Sequence, residues 1–196
     1  VAGIIARLRA RPEPEASATA DELDALSPTA LTVTLAAVRA ARELPSLRAA
    51  LEVYEGKALI NSVNGEEASL NRVLPLVKEF GAAVIGLTMD ESGIPQTAVD
   101  RLAVAYKIVG RAEALGIPRE DILIDCLALT VGADSNAALV TLEAIRLVRA
   151  ELGVNLALGV SNVSFGLPDR EAINDAFLAM ALGCGVNAPI VNPALA

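Results

Sequence analysis

Histidine is absent from the 196 residues. That removes the commonest general base and the commonest metal ligand from the chemistries open to this chain. Whatever it does must rest on Asp, Glu, Asn, Ser, Lys or a bound cofactor. Cysteine is scarce as well: Cys126 and Cys184 are too few for a disulfide framework or a zinc site, and they suit a reducing cytoplasm. Basic residues are outnumbered, 16 Lys plus Arg against 24 Asp plus Glu, and they form no dense cluster. The resulting net charge of -8 argues against nucleic acid or an anionic membrane as a partner. The uncharged stretch at 176–196 is long enough to raise the question of a membrane span. Gly183, Gly185, Asn187, Pro189, Asn192 and Pro193 interrupt it, so it reads as a buried helix followed by a buried strand. No signal peptide is visible at the start, and a first residue of Val suggests a processed or excised piece.

What is abundant is aliphatic. With 54% hydrophobic residues the chain can bury a sizeable core, and residues 1–196 read as one domain. Short apolar runs end abruptly in polar residues at regular intervals. Strand starts near 57, 83, 121, 156 and 187 lie 26 to 38 residues apart, too far for hairpins and right for consecutive βα units. Between them lie amphipathic stretches. One carries Leu70, Val73, Leu74 and Val77 on a single face, with Asn64 and Glu67 spaced as a cap. The next, about 96–115, carries Thr97 and Asp100 as a cap and Leu102, Tyr106 and Val109 inward. A third, 135–152, buries Val140, Ala144 and Leu147. A fourth, capped by Asp169, turns Ile173, Ala176, Phe177 and Met180 inward. Residues 1–28 carry no sustained period, 29–43 read as a helix closed by Pro45, and a short helix follows over 47–54.

The expected fold is therefore parallel α/β, a (β/α) TIM-type barrel. A closed eight-stranded barrel takes about 250 residues, so the barrel is shortened or incomplete at its N-terminal side. In such a fold the polar residues at the strand ends face the site. Those ends are Asn61, Asp90, Asp125, Asn162 with Ser161 beside it, and Asn192. Amides and carboxylates gather there without a lysine or a metal-ligand set, so no metal site is expected. The set suits a flat, neutral heterocycle with donors and acceptors along one edge, which Asn and Asp can pair in two-point fashion. It suits a phosphorylated sugar poorly, because no glycine-rich turn leads cleanly into a helix.

Five linked segments carry a resemblance: INSVNGE at 60–66, AAVIGLTMDESGIP at 82–95, IPREDILID at 117–125, LGVSNVSFGLP at 158–168 and FLAMALGCG at 177–185. In this order and spacing the chain resembles the pterin-binding methyltransferase family, over about residues 46–193, with 1–45 atypical. That family includes methyltetrahydrofolate:corrinoid methyltransferases and the folate-binding domain of cobalamin-dependent methionine synthase. The resemblance implies a barrel that binds 5-methyltetrahydrofolate by its pterin ring. It also implies a transferase of one-carbon metabolism that passes the N5 methyl group to cob(I)alamin on a corrinoid protein or cobalamin-binding domain. Asn162 matches the family asparagine that donates a hydrogen bond to N5, and Asp125 and Asn61 match the groups that hold the pterin edge. Asp90 and Ser161 line the same rim. Of the two strands that family members carry before the one at Ala58, the first is not recognisable in 21–28 and the second is reduced to Leu44-Pro45-Ser46, which leaves a barrel edge that a second copy, in a homodimer, would cover. The alternatives are a folate-binding or scaffold module without turnover, and a pterin enzyme resembling dihydropteroate synthase.

Overall fold

A computed structural model describes residues 47–192. The expectations for 1–28 and 29–43 lie outside the described residues. The chain divides into two compact units, one of them Gly56–Val191, and the other drawn from residues 1–55 and 192–196. Of the second unit residues 47–55 and Asn192 are described; they include helix α1 (Leu47–Glu52), close to the short helix expected at 47–54.

Within Gly56–Val191 strands and helices alternate without exception: β1 (Leu59–Asn64), α2 (Glu67–Glu79), β2 (Ala83–Leu87), α3 (Ala98–Ala114), β3 (Ile122–Asp125), α4 (Ala137–Leu152), β4 (Asn155–Gly159), α5 (Arg170–Cys184) and β5 (Ala188–Ile190). All five expected strands are present. They form one parallel sheet in the order β1-β2-β3-β4-β5. Each strand thus lies beside the next in sequence and the order never reverses. A doubly wound sheet would reverse at a switch point; sequential order with one hand of crossover stacks every helix on the same face, as along an arc of a βα barrel. Neighbouring helices accordingly pack on one another, α3 on α4 and α4 on α5.

Ladder register separates the two faces of the sheet. Val63, Gly86, Ile124 and Leu156 share one row, and a side chain at Gly86 would run into Ile108 of α3, so this row faces the helices. Because side chains alternate along a strand, the next row, Asn64, Leu87, Asp125, Ala157 and Ala188, faces the opposite side, which is the barrel interior. The helix side is dry: Val84, Ile122, Ile124, Leu156 and Leu158 are fully buried there, each burial contributing about 1.5–3 kcal/mol.

Gly86 is where this layer is thinnest. An added Cβ would stand 2.8 Å from Ile108 Cγ2 and 3.1 Å from Ile124 Cδ1. Both are β-branched and stiff, so Gly86→Ala is expected to lower stability by about 1–2 kcal/mol through overpacking. A urea melt with an unchanged slope would register it.

The helix faces agree with the pattern in part. Leu70, Val73, Leu74 and Val77 are all buried as expected. In α3 Val109 is buried as expected, but its partners in the buried stripe are Arg101, Val104, Ala105, Ile108 and Ala112, while Tyr106 is exposed and Leu102 half-buried. The true stripe keeps a strict three-and-four spacing, but its first member is an arginine, and a charge at that position reads as outward and rotates the expected face. In α4, Ala144 is buried but Ile145, Leu142 and Val148 replace Val140 and Leu147 as its core partners. In α5 only Phe177 and Ala181 are buried, and Met180 is 50% exposed.

Caps show a similar division. Thr97 and Asp100 cap α3 as the spacing implies, the Asp100 amide donating to Thr97 Oγ1 over 3.1 Å and the Thr97 hydroxyl to Asp100 Oδ2 over 2.6 Å. Asn64 does not cap α2: its Oδ1 accepts the Glu66 amide at 3.2 Å, a local turn. The first free amide of α2, on Glu67, donates instead to Glu91 Oε1 at 2.9 Å, from the loop after β2. That contact holds the Glu91 carboxyl below its ordinary value. Asp169 sits at the start of α5 but makes no side-chain cap bond. No described helix is long and apolar enough to cross a membrane.

Candidate pterin site at the strand tips

The carboxyl ends of β2, β3 and β4 are tied together by Asp125. Its carbonyl oxygen, the last of β3, accepts from both the amide (3.1 Å) and the hydroxyl (3.2 Å) of buried Thr88 at the end of β2. Its carboxylate reaches the other way: Oδ1 accepts the Leu127 amide at 2.8 Å and Oδ2 the Gly159 amide at 3.3 Å, at the end of β4. Only 6% of Asp125 is exposed. Burial pushes its carboxyl above the ordinary value, and the two amide bonds pull part of the way back. A carboxylate has about four lone-pair sites. Two are used, so one on each oxygen is left for a donor pair.

Asn162 lies three residues beyond Gly159, in a 3₁₀ turn over Val160–Ser164. Its Nδ2 stands 3.3 Å from where a Cβ on Gly159 would be. The same glycine therefore gives its amide to Asp125 and its bare α-carbon face to Asn162, which brings these two side chains into one neighbourhood. Among the described residues no hydrogen bond uses the Asn162 side chain, while its carbonyl takes the Phe165 amide at 3.2 Å. Asn162 lines a cavity of about 280 Å³ with Ile94, Leu127, Ala128, Leu129, Thr130 and Phe165, near the lower end of the roughly 300–1,000 Å³ usual for small-molecule sites. Those residues come from the loops after three consecutive strands. The second and third of these loops are stitched to each other, Val131 N to Val163 O at 3.0 Å and Thr130 Oγ1 to Phe165 O at 2.7 Å.

Ser161, beside Asn162, is exposed, and its carbonyl accepts Arg170 Nη2 at 2.9 Å. Arg170 Nε also reaches the buried Ser164 hydroxyl at 3.0 Å, which holds the turn against the start of α5. The guanidinium lies 6.0 Å from the ring centroid of exposed Phe165 at the lip of the cavity.

Asn61 is not at a strand tip. β1 runs on to Asn64 through an irregularity between Asn61 and Val63, so Asn61 pairs with Ile85 while Asn64 shares the Asp125 row. Asn61 is exposed on the interior face, two ladder rows before Asp125. Asp90 closes a turn of its own, its Oδ1 accepting the Ser92 hydroxyl at 2.6 Å and the Ser92 amide at 2.9 Å, which lowers its carboxyl below the ordinary value. It lines a separate depression with Ser92, Pro95, Asp100 and Lys107. Asn192 lies beyond the end of β5. Cys126 is buried, and burial pushes its thiol up to about 12, so it acts as a small apolar residue. Among the described residues no cluster of His, Cys, Asp and Glu could hold a metal ion.

One feature beside the site escapes sequence reading. Arg101 is 1% exposed and donates to Pro95 O (2.9 Å), Cys126 O (2.8 Å), Leu127 O (2.9 Å) and Thr141 Oγ1 (3.1 Å), beneath the cavity wall. Its one trace in the sequence is a cation at the first position of an apolar stripe.

Gly159 offers a graded probe of this geometry. Gly159→Ala would set a methyl group 3.3 Å from Asn162 Nδ2, close enough to displace the amide by a few tenths of an ångström. The backbone there is ordinary, φ -74 and ψ 90, so the fold should tolerate it. A loss of about 2- to 10-fold in any rate that depends on Asn162 is expected, with a melting temperature close to that of the parent.

The chain is similar to known proteins over most of its length. Methionine synthase of Mycobacterium leprae is 36% identical over 163 residues, 76% of this chain and 14% of that protein. Methionine synthase of Mycobacterium tuberculosis is 35% identical over 163 residues, with the same coverage. A methylcorrinoid:tetrahydrofolate methyltransferase of Eubacterium limosum is 26% identical over 152 residues, 75% of this chain and 55% of that protein. The chain thus spans about a seventh of the two methionine synthases and about half of the third relative. A model of the pterin-binding enzymes matches residues 29–192. With that match over a sheet whose strand tips carry Asp125 and Asn162, the chain belongs to the pterin-binding enzyme family.

Proposed function

We propose that this chain binds 5-methyltetrahydrofolate at the tips of β2 to β4 and passes its N5 methyl group to cob(I)alamin carried by a separate corrinoid protein or domain. The observation that carries the reading is the pairing around Gly159: a buried carboxylate with two unused lone pairs beside an asparagine whose side chain has no partner among the described residues. The names and identities of the relatives support it.

The residues fit a pterin. Its amide-like edge presents adjacent N–H donors, which the two free lone pairs of an ionised Asp125 can take together. Asn61, on the same sheet face, would hold a further part of that edge, and Ser161 the rim. Asp90, engaged with Ser92, is assigned a lesser part. The apolar wall of Ile94, Leu127, Ala128 and Leu129 covers the ring faces.

Cob(I)alamin, as the methyl acceptor, would supply the electron pair for the new C–Co bond. The C–N5 bond would break with its electron pair left on N5, and N5 would take a proton from solvent, with a hydrogen bond from the chain to support the charge until it does. An uncharged tertiary amine is a poor leaving group without that support. Asn162 Nδ2 is the donor on this side of the cavity. Its bond strengthens as charge builds on nitrogen, and so favours the transition state over the ground state. Read backwards, the same site would methylate tetrahydrofolate.

Titration of the purified chain with 5-methyltetrahydrofolate, followed by addition of cob(I)alamin, tests this. Saturable pterin binding with loss of the cob(I)alamin absorbance is expected. Binding without that loss would reduce the chain to a folate-binding module, and the absence of both would end the reading.

A further inference from the structure

Arg101 is the largest fully buried side chain among the described residues, and no acid pairs with it there. A buried guanidinium without a carboxylate is costly unless its donors are all used. Here Nε and Nη1 donate to main-chain carbonyls of two loops. Pro95 O belongs to the loop after β2, next to Ile94 of the cavity wall; Cys126 O and Leu127 O belong to the loop after β3. Thr141 Oγ1, on α4, accepts from the same Nη1 and lies 3.1 Å from Leu127 O.

Leu127 is what this arrangement holds. Its φ of 61 lies in the left-handed region that non-glycine residues avoid. Such strain persists only where surrounding contacts enforce it. In that conformation the Leu127 carbonyl points inward to Arg101 and Thr141 while its amide points to Asp125 Oδ1 at 2.8 Å. A single residue therefore has both of its main-chain polar groups fixed, one by a buried cation and the other on the candidate pterin carboxylate. We propose that Arg101 is a positioning residue for Asp125: it locks Leu127 in the left-handed conformation, aims the Leu127 amide at the carboxylate, and holds the Ile94 and Leu127 walls at a fixed separation. The functional consequence rests on the pterin-site reading above, but the local claim does not.

The experiment uses the intact chain, with amide NMR and 5-methyltetrahydrofolate titration on the parent, R101M, R101K and T141V. In R101M the Leu127 amide proton should lose its hydrogen-bonded downfield position while the amides of Thr88 and Val131 stay in place, and pterin affinity should fall by about tenfold. R101K, with a single ammonium for the fork, should fall between the two. T141V removes one hydroxyl at nearly constant volume and should move the same resonance in the same direction, with an affinity loss of about two- to threefold. T141V keeps the test open if R101M does not fold.

A folded R101M or T141V with the Leu127 amide unmoved would overturn the proposal, whatever the binding result. So would a displaced Leu127 amide accompanied by parent-like pterin affinity. If the amide moves but the parent chain binds no pterin, the hold on Leu127 stands and the proposed function falls.

Discussion

Asn162→Ala should slow methyl transfer to cob(I)alamin by about 100-fold while leaving 5-methyltetrahydrofolate affinity within a few-fold of the parent. The two effects separate because of what the amide does in each state. In the ground state N5 carries its methyl group and little charge, and a donor beside it gains little. As the C–N bond breaks, the electron pair left on nitrogen makes the same hydrogen bond charge-assisted and roughly twice as strong. The loss therefore falls on the rate and not on KM. The fold should not change the answer: no other described residue uses the Asn162 side chain, and the residue is exposed. Single-turnover rates with pterin in excess would measure the effect. A rate within twofold of the parent would remove Asn162 from the reaction.

Asp125→Asn should act on binding. The amide keeps one acceptor oxygen but turns an NH₂ group toward the Leu127 or the Gly159 amide and toward the pterin donor beside it, so one donor is opposed by another. Losing a charge-assisted bond of this kind costs about 1.5–3 kcal/mol, or roughly 10- to 150-fold in Kd. The carboxyl itself adds a dependence on pH. Burial first, offset by the Leu127 and Gly159 amides, sets its value above the ordinary 3.8. The ionised form that the proposed pterin contact needs is thus lost at a higher pH than for an exposed aspartate, and affinity should weaken as pH falls through that raised value. Stability runs the other way. In the window between 3.8 and the raised value the native state holds a proton that the unfolded state has released, so stability falls as pH rises. Asp125→Asn has no such group, and should gain on the parent across the same window. Denaturant melts at several pH values, set beside pterin titrations, would show the two opposite trends.

How much of this is legible in the sequence differs between sheet and site. Every strand of the described sheet is visible there as a short apolar run bounded by polar residues, most plainly β2, β3 and β4, whose middle residues are buried on both faces, while β1 and β5 are partly open. The α2 face is legible for a related reason: Leu70, Val73, Leu74 and Val77 form a stripe that no charge interrupts. The α3 face is not. Arg101 belongs to the buried stripe, and its partners are main-chain carbonyls that no pattern of side chains reveals. Asn64 and Glu67 have the right spacing for a cap, yet Glu91 from another loop supplies the acceptor, a contact set by the tertiary fold. The strand tips show the same limit. Asp125 and Asn162 meet at Gly159, which follows from the parallel order of β3 and β4. Asn61 lies deeper than a tip because β1 continues through an irregularity that leaves no mark in its residue types. Asp90 stands in the expected loop but is occupied by Ser92 two residues on.

The most direct measurement is a crystal structure of the chain with 5-methyltetrahydrofolate bound. The expected result is a pterin ring over the tips of β3 and β4, its N–H edge on the Asp125 carboxylate and its N5 within hydrogen-bond reach of Asn162 Nδ2. A pterin seated elsewhere, or an Asn162 side chain turned out of the cavity with N5 facing no donor, would contradict the account.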